Sequence, residues 1–139
     1  MKGDPLPDKD NVVRYVGGSK IADGIVQPEA FNNPPISVNW LEYQSGRKPE
    51  QVARVRRVLR LKIGKTAFLA ELNVAAIRGL GFDVLEDPMK AENGWPPAPC
   101  HAHIVVISSH DREQKLMFEK LADIVVDIHP AYAETNPAA

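Results

Sequence analysis

The sequence predicts an α+β domain, with a sheet of about four or five strands packed by two amphipathic helices. Three observations predict it. Short runs rich in β-branched and aromatic residues, such as NVVRYV at 11–16 and ISVNWLEY at 36–43, share the chain with segments whose apolar residues recur every three or four positions. The composition, 44% hydrophobic and 25% charged, is that of a globular protein and excludes general disorder and fibrous repeats. A length of 139 residues suits one hydrophobic core. We expect that core to occupy residues 11–130, with 1–10 a flexible lead-in and 131–139 a mobile tail.

In chain order, residues 1–10 carry two prolines among charges and show no apolar period, hence the expectation of a loose lead-in. The run 11–16 reads as a strand closed by Gly17-Gly18. Asp23-Gly24 marks a turn, and Pro28-Glu29-Ala30 suits the first turn of a short helix that ends by Pro34-Pro35. At 36–43, alternation puts Ile36, Val38 and Trp40 on one face of an interior strand, so Trp40 is expected in the core. From Pro49 the period becomes helical. Val52, Val55, Leu59 and Ile63 define one face of a helix over about 49–61.

The segment 65–81 fits a strand or a helix ending near Gly79 or Gly81, and we read it as a helix. Residues 82–86 read as a short strand, and 87–100, with four prolines around Trp95, as an irregular loop. The run 101–107 is apolar on both faces, as an interior strand is. Asp111 with Gln114 forms a cap signal, and Met117, Leu121, Ile124 and Ile128 form the stripe of a second helix that Pro130 stops.

The charge pattern is uneven. Net charge is −1, but positions 47–65 hold eight bases (Arg47, Lys48, Arg54, Arg56, Arg57, Arg60, Lys62, Lys65) against Glu50 alone, which makes that stretch +7 and the remainder −8. Arg54, Arg57 and Arg60 project together, opposite the Val52/Val55/Leu59 stripe, with Arg56 beside them. Two explanations compete: an acidic cluster of Asp83, Glu86, Asp87 and Glu92 folds over the helix, or the arginines meet an anionic partner. The second is our leading functional expectation, a binding or accessory module whose ligand-binding residues are Arg54, Arg56, Arg57 and Arg60 and whose partner is an acidic protein surface or nucleic acid. The helix lacks the aromatics that single-strand binders use for base stacking.

His101 and His103 are the candidate catalytic residues. Two apart on a strand, they face the same way, a spacing that can ligate a metal or set up acid–base chemistry. A small His-dependent hydrolase or transferase centred on them is the alternative function. The string from Asn93 to Ile107 resembles the histidine-triad nucleotide hydrolases. Val105 stands where the third histidine would be, and the resemblance implies His103 as the nucleophile. Gly64-Lys65-Thr66 is no phosphate loop, because position 59, where the motif needs its first glycine, is leucine. No metal and no cofactor is expected.

The single Cys100 forms no internal disulfide, the first residues lack the apolar core of a secretory signal, and no window approaches the ~18 apolar residues of a membrane span. A cytoplasmic protein without membrane contact is expected, as a free chain, an oligomer or a subunit of a complex. The strings VVRYVGGSKIADGIVQPEAF and ISVNWLEY resemble short bacterial proteins of unassigned function. That resemblance implies a bacterial origin and no particular activity.

Overall fold

The β-branched run Asn11–Val16 forms strand β1 at the middle of the sheet, where both faces carry buried side chains: Val12 and Val16 point to one side and Val13 to the other. The computed structural model describes residues 1–31, 36–59, 67–90, 97–106 and 111–131. In it β1 pairs antiparallel with β4 (Ile36–Trp40) on one side and β5 (Phe68–Asn73) on the other. Strands β6 (Phe82–Glu86), β7 (His101–Val106) and β8 (Asp127–Pro130) complete a six-stranded sheet ordered β6-β7-β4-β1-β5-β8, antiparallel throughout. A separate hairpin joins β2 (Ile21–Ala22) to β3 (Ile25–Val26). Its turn is Asp23-Gly24, with φ of 53° and 76°, the positive pair that a two-residue hairpin matching strand twist requires.

The architecture is thus α+β as expected, but the strands exceed the four or five predicted. Two of the extra strands make the small hairpin. Others lay hidden in runs read as helix. Within the segment 65–81, Phe68–Asn73 is strand β5 and only Val74–Gly79 is helix (α2), capped by Asn73, whose side chain accepts from the Ala76 N–H at 3.1 Å. Its apolar character on both faces, which resembled a buried helix, reflects burial of Leu69 on one side and of Ala70 and Leu72 on the other. The last amphipathic helix, α3 (Asp111–Asp123), likewise ends sooner than expected. Ile128 still packs on the core, from strand β8.

One face of the sheet is covered by α2, α3 and a 3-10 turn at Pro28–Phe31, around Phe31, Ile36, Ile77, Phe82, Ile104 and Leu121. The other face receives α1 (Lys48–Leu59), whose Val52, Val55 and Leu59 pack with Val13, Leu41 and Leu69. This is the stripe the sequence predicts, and each side chain contributes about 1.5–3 kcal/mol of burial. The strand at 36–43 stops at Trp40 and turns into a 3-10 turn, Leu41–Tyr43. Trp40 is only partly buried against the core, and its Nε1 donates to Oδ2 of Asp10 at 2.8 Å.

Residues 1–10 do not stand off the fold. Leu6 is 2% exposed, its N–H donates to the Val84 carbonyl at 3.1 Å, and Pro5 bridges Leu85, so this segment runs along the free edge of β6. Ala131 is fully buried and donates to the Ala67 carbonyl at 3.0 Å. The expectations for Pro34-Pro35, Arg60, Ile63, the Gly64-Lys65-Thr66 string, Glu92, Trp95 and residues 132–139 lie outside the described residues. Among the described residues, no helix is long and apolar enough to cross a membrane.

Candidate functional site

The basic helix keeps its charge but not the symmetry the helical projection implied. Arg57 is exposed. Arg54 is half-buried and donates Nη1 to the Ser45 carbonyl, and Arg56 leans to the rim of the sheet, where its Nε donates to the Pro130 carbonyl at 2.8 Å. Both acceptors are neutral, so neither bond cancels the guanidinium charge. The described acids expected to cover this helix are engaged elsewhere. Asp83 pairs with Arg78 at 2.9 Å, Glu86 with the Met1 ammonium at 3.2 Å, and Asp87 lies among the histidines. Among the described residues, Arg54, Arg56 and Arg57 have no carboxylate within ion-pair distance, whereas Arg47 has Glu50 at 3.4 Å and Lys48 has Glu71 at 2.5 Å.

His101 and His103 share a face, as their spacing predicts, because Ala102 and Ile104 between and beside them point into the opposite core. Their rings lie 4.8 Å apart, edge to face. Sequence reasoning missed the third member, Asp87. The β6–β7 register pairs Leu85 with His103 and Glu86 with Ala102, so the next residue, Asp87, falls opposite His101. Its N–H donates to the His101 carbonyl at 2.9 Å and its own carbonyl meets His101 Nδ1 at 2.8 Å. The Asp87 carboxylate then reaches His103 Nδ1 at 3.1 Å and His101 Nδ1 at 3.5 Å. The carbonyl can only accept, so His101 Nδ1 carries the proton in that bond. Only the strand pairing could have revealed Asp87, since it is 14 residues from His101.

His129 does not join this pair. It lies on β8, four strands from β7 and about 19 Å away at ordinary strand spacing. There its Nε2 meets Oε1 of Glu71 at 2.7 Å, and Oε2 of Glu71 accepts from Lys48 and from Asn11. Glu71 is fully buried. Burial by itself raises its carboxyl, but the bonds from Lys48, His129 and Asn11 together outweigh that and hold it below the ordinary carboxylate range. A surface cavity of about 350 Å³ opens beside this cluster, lined by Lys48, Pro49, Val52, Arg56 and His129.

Cys100, next to His101, is buried. Desolvation pushes its thiol up to about 11, so at neutral pH it is neither a thiolate ligand nor a nucleophile. Compared with known proteins, the chain matches no family model, no curated sequence and no solved structure.

Proposed function

We propose that this chain is a small bacterial-type cytoplasmic binding or accessory module that contacts an acidic protein surface through the basic side of α1. The observation that carries the reading is the state of Arg54, Arg56 and Arg57: three neighbouring cations with no described carboxylate within ion-pair distance, while Asp83, Glu86 and Asp87 are engaged away from them. Like charges a turn apart repel by a few tenths of a kcal/mol per pair, which an external anion relieves. An acidic protein is favoured over nucleic acid because the rest of the chain is strongly negative and repels a long polyanion.

The test is a salt titration of binding to a polyglutamate peptide and, separately, to a duplex oligonucleotide. Charge reversal of Arg54, Arg57 and Arg60 to glutamate is expected to abolish peptide binding, and wild-type binding is expected to fall steeply with salt. Equal binding by the folded variant would sink the proposal, and preference for the duplex would replace the protein partner by nucleic acid. A second reading, a small His-dependent hydrolase or transferase centred on His101 and His103, is favoured by one observation: a carboxylate, Asp87, converges on both rings.

A further inference from the structure

We propose that Asp87, His101 and His103 form a binding site for a divalent transition metal ion of the zinc class, held by three protein ligands with the remaining positions open. The site stands apart from the contact at α1 and does not depend on it.

One donor atom from each of the three side chains lies within 4.8 Å of the other two. Ligand atoms around an ion with bonds of about 2.0–2.2 Å sit roughly 3.0–3.6 Å apart. The 3.1 Å separation from Asp87 Oδ2 to His103 Nδ1 already falls in that range, and His101, whose Nδ1–H is held by the Asp87 carbonyl, offers its Nε2. The donor set decides the ion. Two imidazoles and one carboxylate suit zinc, cobalt and iron(II), whereas magnesium and calcium take oxygen ligands. Three ligands instead of four match the open sites in which zinc keeps a water or substrate.

The supporting framework is in place. Asp87 and His101 are locked to each other through two bonds involving the Asp87 main chain, which hold the two backbones together and orient the His101 ring. The side chains of Asp87, His101 and His103 are 22%, 10% and 26% exposed, sheltered but open to an entering ion. Among the described residues, the cation paired with Asp87 is Lys2, whose ammonium is 3.7 Å away on a side chain 81% exposed, and it can swing into water. The other histidine–carboxylate cluster, Glu71/Asp127/His129, differs on this point. Its Glu71 is fully buried and already bonded by Lys48, which a metal ion would have to displace.

The experiment titrates untagged protein with Zn²⁺ by calorimetry and with Co²⁺ by visible absorption, with circular dichroism confirming the fold of each variant. One ion per chain is expected. Asp87→Asn, nearly isosteric, and His103→Ala are each expected to weaken binding by at least about tenfold. His129→Ala and Cys100→Ser are expected to leave it unchanged, with no thiolate absorption in the cobalt spectrum. No binding by folded wild type overturns the proposal. So does binding that survives in a folded His101→Ala/His103→Ala protein, or binding that is lost in a folded His129→Ala protein. The Arg54, Arg57 and Arg60 reversal is expected to keep the metal site, so failure of the metal proposal and failure of the α1 contact are read separately.

Discussion

At the scale of single residues, two buried ionisable groups carry opposite consequences. Glu71 is ionised inside the fold because three donors converge on it, so replacing it by glutamine removes the charge while keeping the shape. Hydrogen bonds to a charged group are worth about 1.5–3 kcal/mol, and Lys48, half exposed, is partly rehydrated when its partner goes. We expect Glu71→Gln to cost about 2–3 kcal/mol at pH 7 in urea unfolding. A carboxylate held below its unfolded value stabilises the fold above that unfolded value and stops doing so as pH falls through the folded one. The cost of the mutation is therefore expected to shrink below about pH 4, and a deficit independent of pH would show that Glu71 is not the charged partner described. Cys100 is the reverse case, a thiol kept protonated by burial. Thiol labelling at pH 8 is expected to be slow in folded protein and to accelerate at the unfolding midpoint; rapid labelling of folded protein would contradict its buried position.

At the scale of elements, α1 was legible because Val52, Val55 and Leu59 repeat at a helical period and charged residues fill most of the opposite side. Strand β5 was not, because a strand covered on both faces loses the alternation that distinguishes it from a short apolar helix. Strand β8 was hidden for a related reason: Leu121 and Ile128 keep helical spacing although the helix ends between them, at Asp123, and four residues are too few to display a strand's period. The histidine pair was legible from its spacing of two, whereas Asp87 was not, because it enters the site through the β6–β7 register. The arginines were legible as charge but not as contacts. Arg56 serves as a strut from α1 to the Pro130 carbonyl at the end of β8, and no pattern within the helix announces a partner 74 positions away. Arg56→Ala is expected to cost about 1–2 kcal/mol, against at most about 0.5 kcal/mol for exposed Arg57→Ala. Equal effects in thermal unfolding would remove the strut.

At the scale of the whole molecule, an open six-stranded sheet has two edges, and unpaired edges recruit other chains unless something covers them. The edge at β6 is covered by the chain's own first residues. Gly3 donates to the Glu86 carbonyl at 2.8 Å, Glu86 donates to that of Asp4 at 2.8 Å, and Leu6 donates to that of Val84. Leu6 also buries its side chain in the larger core, and Arg78 pins Asp8 from α2. The segment therefore does two separable jobs, filling core and blocking an edge, and two variants separate them. Leu6→Ala removes only the filling and is expected to lower stability by about 2–4 kcal/mol while the protein stays in its wild-type association state. Deleting residues 1–7 removes both, and it takes away the backbone partners of Val84 and Glu86 on the outer side of β6. We expect the truncated chain to melt earlier and also to self-associate as its concentration rises, which light scattering after gel filtration measures. A truncated chain that melts like wild type and gains no larger species would mean that the segment neither fills the core nor guards the edge.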